Sequence, residues 1–163
     1  MRLFYYLYIT LILISCSNNV ELIFEQDNGG LLLPDGFRSL VVHEGVGQSR
    51  HIAVNQNGDI YVKLRKDFGR DGNVALRDKN GDGKAEIIKR FGDYPNDGRF
   101  ATEMKINDGY LYYSSERVVY RQKLNPKKLV PDSPIEVVLT DPFPLRWHNA
   151  KSIAFDKENN MYV

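Results

Sequence analysis

The stretch "LRDKNGDGKAEII" carries one of the two groups of residues in this chain equipped for chemistry. Asp78, Asn80, Asp82 and Glu86 offer side-chain oxygens at alternating positions, and Gly83 follows the third of them. This is the opening of a calcium loop, D-x-[DN]-x-[DN]-G, in which alternation aims successive oxygens at one centre. A helical EF-hand is not expected, because position twelve is Lys89 rather than a bidentate glutamate and both flanks read as strands. A nine-residue version adds the Lys84 carbonyl and offers five oxygen donors to Ca2+. The competing reading is a solvated double turn, since Asn80-Gly81 and Asp82-Gly83 are favoured at chain reversals for their own reasons.

The second group is the histidines, of which there are three: His43, His51 and His148. Imidazole, with an unperturbed pKa of about 6.5, is the side chain best suited to move protons near neutrality. A lone histidine is more often a hydrogen-bonded structural residue, so the elements around each one decide its role. Cys16 is the only cysteine, which leaves no internal disulfide and no thiolate chemistry beyond that residue.

Those elements are strands. From Leu31 onward the apolar segments are short, rich in Val, Ile, Tyr and Phe, and separated by Gly, Asn, Asp and Pro. In "HIAVNQNGDIYVKL", Ile52–Val54 and Ile60–Val62 read as a hairpin turned by Asn57-Gly58. The same form returns in "EMKINDGYLYYSS" and "KSIAFDKENNMYV", with turns at Asn107-Asp108-Gly109 and Glu158-Asn159-Asn160. Ile52, Met104 and Ile153 then mark equivalent positions, 52 and 49 residues apart. Two further strands follow each of the first two hairpins: Val74–Asp78 and Glu86–Phe91, then Arg117–Leu124 and Ile135–Thr140.

Four strands per repeat of about fifty residues predict an all-β fold, a β-propeller of radially packed blades. About two and a half blades are expected in residues 31–163, which read as the N-terminal part of a truncated propeller domain. "FRSLVV" (Phe37–Val42) is expected to be the outer strand of a ring-closing blade. A β-sandwich is the alternative. In a propeller the entrance to each innermost strand faces the central channel, so Arg50-His51 and Trp147-His148-Asn149 would approach one axial pocket.

Ahead of this domain, Arg2 is followed by the uncharged run "LFYYLYITLILI", too short to span a bilayer unaided. Residues 1–15 read as a signal peptide, and Leu13-Ile14-Ser15-Cys16 resembles the bacterial lipobox. That resemblance makes Cys16 the acylated N-terminus, residues 16–30 a tether, and the protein an exported lipoprotein, membrane-anchored at the periplasmic or cell surface. A non-lipidated signal peptide or a signal anchor remains open. Lys+Arg 22 against Asp+Glu 21 gives a net charge of +1, so nothing points to nucleic acid.

The segment "HNAKSIAFDKENNMYV" resembles the glucose/sorbosone dehydrogenase family at the point where a histidine precedes a small-residue turn and an apolar strand. "RHIAVNQNGDIYVKL", "LRDKNGDGKAEIIKRFG" and "GYLYYSSERVVYRQKL" are similar to the first two blades of its sorbosone-type branch, and the likeness runs from about Leu33 to Val163. It implies a six-bladed propeller holding pyrroloquinoline quinone, commonly with calcium, near the axis. It makes His148 the general base in hydride transfer from a sugar, sugar aldehyde or polyol. It makes Arg50 a candidate axial cation toward the quinone carboxylates, although a surface or strand-pairing arginine fits that position equally. Electrons would pass to a periplasmic carrier such as a cytochrome c or a quinone. One departure is "NDGRFATEM", which stands where the soluble glucose dehydrogenases carry a cofactor-adjacent glutamine. Two other functions remain open: a non-catalytic propeller of the NHL or YWTD type that binds protein or glycan, and a calcium-stabilised structural lipoprotein.

Overall fold

The structure, a computed structural model, describes residues 20–65, 72–93, 103–141 and 151–163. Among these residues there is no helix long and apolar enough to cross a membrane, and the one helical element is a single 3-10 turn at Asn28–Gly30.

Two four-stranded antiparallel sheets follow in chain order. The first comprises β1 (Ser49–Val54), β2 (Ile60–Leu64), β3 (Asn73–Arg77) and β4 (Ile87–Phe91), and the second β5 (Met104–Asn107), β6 (Tyr110–Ser114), β7 (Val118–Lys123) and β8 (Glu136–Thr140). In each, every strand pairs with the next along the chain. A hairpin of β9 (Ala154–Phe155) and β10 (Met161–Tyr162) starts a third unit.

The turns form where the sequence supplies left-handed residues. Gly58 has φ 88°, Asp108 and Gly109 have φ 45° and 74°, and Asn159 has φ 65°. Two successive positive values at Asp108-Gly109 match the two-residue turn whose twist suits antiparallel strands, and Asn107 and Tyr110 pair across it.

Side-chain alternation then decides how the sheets stack. Tyr61, Ala75 and Phe91 from the first sheet share one buried cluster with Met104, Leu111, Tyr113 and Tyr120 from the second. The opposite face of the second sheet, with Tyr112 and Val119, buries Ile153 and packs on Phe155 and Met161 of the third unit. Sheets one and two come together at their first strands, β1 with β5 and β2 with β5. Each sheet thus packs a face on the next, with backbone approach at the inner strands, as in blades that converge on an axis. The fold is therefore all-β, and the sheets are blades of a β-propeller: two complete blades and the inner hairpin of a third.

Phe37–Val42, expected as the outer strand of a ring-closing blade, belongs to no sheet among the described residues, which include no other strand of such a blade. Its backbone bonds are single and scattered: Ser39 O accepts from Glu25 N at 3.0 Å, and Val42 O accepts from Ala85 N at 2.8 Å. Without a partner strand in register no ladder can propagate. The segment instead crosses the far face of the first blade, where Val42 and Val46 cover Val62, Leu64, Val74 and Leu76. The expected tether contributes as well, since Ile23 N donates to Asp82 O at 2.8 Å.

Candidate functional site

The innermost strands begin at one end of the blades, and their entrances are tied by a single buried carboxylate. Glu103 immediately precedes β5 and is 7% exposed. Its Oε1 accepts the Met104 N–H at 3.0 Å and lies 3.1 Å from His51 Nε2, at the start of the first blade. Its Oε2 accepts the Ile153 N–H of the third unit at 3.4 Å. The backbone of Glu103 is fixed in turn: its N–H donates to Ser114 Oγ at 3.1 Å, and its carbonyl accepts from Ser114 N at 3.1 Å. The Ser114 hydroxyl donates to Lys151 O at 3.3 Å, again toward the third unit. A carboxylate buried away from water needs donors, and here these are drawn from three successive blades.

An ionised carboxylate only accepts hydrogen bonds, so a neutral imidazole facing it would carry its proton on Nε2 and its lone pair on Nδ1. Nδ1 is buried and has no hydrogen-bond partner among the described residues. An imidazole held in one tautomer by a carboxylate is an arrangement suited to accepting a proton.

Glu103 was not among the residues expected to matter, yet the repeat contains the signal for it. Aligning Ile52, Met104 and Ile153 sets His51, Glu103 and Ser152 at one repeat position, the residue before the apolar one that marks each repeat. A histidine and a carboxylate at that position in successive blades become neighbours once the blades pack.

The other expected residues are distributed as follows. Arg50 is exposed at the start of β1, at an irregularity in the β1–β2 register between Ser49 and His51. His43 is exposed beside Val42, whose carbonyl binds Ala85 at the other end of the blade. His148 and Cys16 lie outside the described residues. The residues flanking 142–150 are joined, with Lys151 Nζ 2.8 Å from Asp141 Oδ2.

The acidic loop connects β3 to β4, at the end of the blade opposite the His51 entrance and toward the rim. Asp78 accepts from Gly81 N at 2.6 Å and from Gly83 N at 2.7 Å. Asn80 Oδ1 accepts from Asp82 N at 2.9 Å, Asp82 Oδ1 from Lys84 N at 2.8 Å, and Glu86 Oε2 from Lys79 N at 2.7 Å. These bonds curl the loop inward, so that one oxygen each from Asp78, Asp82 and Glu86 lies within 4.8 Å of the others. Ligands on opposite sides of a calcium ion at 2.3–2.6 Å are about 5 Å apart, so the spacing and the all-oxygen donor set fit that ion. Lys84 bears on the N-terminal segment through Glu25, at 3.4 Å. Gly83 lies so close beneath Leu40 that an added Cβ would fall 2.7 Å from its Cδ2.

No family model matches this chain, and no curated protein matches it. Among solved structures, the holo form of the pyranose dehydrogenase PQQ domain from Coprinopsis cinerea is similar, with a TM-score of 0.56 and 16% identity. The likeness covers 72% of this chain, which spans 27% of that one. At this identity it concerns the fold, and it agrees with the blade arrangement.

Proposed function

We propose that this propeller is an exported, lipid-anchored quinoprotein that oxidises a sugar, a sugar aldehyde or a related polyol. The observation that carries the reading is the convergence of strand entrances on Glu103, which draws His51 and Ile153 to one axial end. His148 lies three residues before Lys151, a reach of at most about 11 Å of extended chain. The fold likeness to a PQQ-binding dehydrogenase domain supports the same reading.

Bound pyrroloquinoline quinone would supply the acceptor for a hydride. The chain's own contribution is positional and acid–base. An imidazole nitrogen of His148 takes the proton from the substrate hydroxyl oxygen as the C–H bond breaks, a role worth on the order of a hundredfold or more in rate. Arg50 offers a guanidinium fork to a quinone carboxylate. Calcium in the Asp78–Glu86 loop would brace the far rim rather than act on substrate, because that loop opens away from the axial end. Cys16 would hold the domain at a membrane through its acyl chains, and electrons would leave to a periplasmic cytochrome c or quinone.

The test is dye reduction by the protein loaded with calcium and pyrroloquinoline quinone, across a panel of aldoses and polyols. His148→Ala should lower turnover at least a hundredfold while quinone binding, followed by absorbance, persists. Turnover that survives this substitution removes His148 from the mechanism. Quinone binding that never occurs favours the non-catalytic propeller.

A further inference from the structure

The three units repeat one contact between neighbours. In each, a tyrosine on the second strand stands opposite the residue that follows the apolar marker of the repeat: Tyr61 opposite Ala53, Tyr112 opposite Lys105 and Tyr162 opposite Ala154. The three tyrosines therefore occupy one structural position. Directly opposed residues share a face, so alternation sends Ile52 and Val54 in the first unit, and Met104 and Ile106 in the second, to the other face of their sheets. Ile153 and Phe155 are the corresponding pair of the third unit.

Two of the tyrosines meet the pair of the following unit. Tyr61 shares a buried cluster with Met104, against which Ile106 also packs. Tyr112 shares one with Ile153, and its ring centroid lies 4.8 Å from that of Phe155. Contact buries both halves: Tyr61 and Tyr112 are 1% and 6% exposed, Met104 and Ile153 0% and 2%. The two remaining halves are open. Tyr162 is 58% exposed, and Ile52 and Val54 are 58% and 59% exposed. The N-terminal segment leaves that pair uncovered, because Val42 and Val46 pack on the strands outward of β1, against Val62, Leu64, Val74 and Leu76.

We propose that these open halves form one docking surface whose occupant is a second copy of this chain, with Tyr162 of one copy seated on Ile52 and Val54 of the next. The chemistry of the contact is continuous with the two interfaces within the molecule, in each of which a tyrosine ring lies on an apolar pair of an inner strand. Burial of Tyr162 would leave no orphaned donor, because its hydroxyl already donates to Asp156 Oδ2 at 2.8 Å. The two halves are unlike, so the association is head-to-tail: each copy gives its tyrosine to one neighbour and receives the tyrosine of another. No residue of this surface belongs to the proposed quinone site.

The test uses the full chain with p-benzoylphenylalanine in place of Tyr162, which keeps an aromatic ring at that position. Irradiation of a mixture of 14N and 15N chains should give adducts to the tryptic peptide His51–Lys63 that join unlike isotopes. Ile52→Thr together with Val54→Thr, at exposed positions, should lower this adduct roughly tenfold or more by removing the apolar seat. A chain with the photoprobe and both threonines should still be captured by a chain with Tyr162→Ala, whose Ile52 and Val54 are intact. Adducts confined to like isotopes would show residue 162 meeting its own chain and would overturn the proposal. So would adducts that map elsewhere, or a yield indifferent to the two threonine substitutions.

Discussion

Tyr61 offers a quantitative test of the interface between the blades. Its ring is buried at 1% exposure, edge-on to Phe91, and its hydroxyl donates to the Leu129 carbonyl of the second blade at 3.0 Å. Burial, reinforced by the nearby Asp59 carboxylate and partly offset by Arg77, pushes the phenol up to about 12 from its ordinary 10.0. A folded-state pKa above the unfolded one means that the native chain keeps a proton the unfolded chain loses. The associated stability is complete below pH 10 and declines as pH rises toward 12, by about 2.7 kcal/mol in all. Tyr61→Phe has the opposite balance. At pH 7 it loses a buried hydrogen bond, about 1 kcal/mol, but it has no phenol to ionise. The native chain should therefore be more stable than the variant by ~1 kcal/mol at pH 7, equal to it near pH ~10.7, and less stable by ~1 kcal/mol at pH ~11.5. Urea unfolding at these three pH values measures the difference directly. Burial also raises the Tyr113 phenol, but that residue is common to both proteins and cancels. A stability difference that stays constant from pH 7 to 11.5 would refute the claim that Tyr61 is sealed between the blades.

Further outcomes follow from other parts of the molecule. Calcium at a hundredfold excess over its dissociation constant should stabilise the protein by about 2.7 kcal/mol relative to chelator, and Asp82→Ala should abolish the difference. Equal melting with and without calcium would make the Asp78–Glu86 loop a solvated turn. Buried Asp59 receives Arg77 through Nε at 2.6 Å and Nη2 at 2.7 Å, tying the first hairpin turn to β3. Asp59→Asn should cost about 3 kcal/mol, at the low end for a broken buried pair because Arg77 is partly exposed, as read by chemical denaturation. On the free side of β1, Ile52 and Val54 are 58% and 59% exposed. Their joint replacement by Thr should lower self-association in sedimentation velocity, and an unchanged distribution would show that this strip is not adhesive.

The sequence spoke clearly where a local rule applied. Gly58 and Asp108-Gly109 announce their turns because few residues accept positive φ, and the strand limits fall within three residues of those expected, as with Ile135–Thr140 against Glu136–Thr140 and Ile52–Val54 against Ser49–Val54. The calcium-type loop was equally legible, its oxygens lying in one short stretch. Phe37–Val42 was read as a strand of a ring-closing blade, no other strand of which is among the described residues, and here it covers a face of the first blade. Asn73 and Lys63 were not legible. In sequence they are ordinary polar residues beside turns, and only pairing across β1, β2 and β3 aligns them with His51 on a buried face.

The division of labour along each blade follows from that geometry. Strand positions facing the neighbouring blade are filled with Tyr61, Met104, Leu111 and Tyr113, which bury apolar area and hold the blades together. At the axial end a histidine and a carboxylate occupy equivalent repeat positions. Their contact orients an imidazole where strand entrances from three units converge. At the other end the loops are long enough to curl around a centre of their own, and there Asp78, Asp82 and Glu86 gather beneath the N-terminal segment. A change in the acidic loop should therefore be felt first in how residues 20–48 lie on the first blade. A change at Glu103 should be felt in the relation of all three units. Backbone hydrogen exchange separates the two: Asp82→Ala should speed exchange at Ile23 and Ala85, whereas Glu103→Gln should speed it at Met104 and Ile153. If either substitution loosened both ends equally, the blade would be a single cooperative body, and the separation of axial chemistry from rim support would fail.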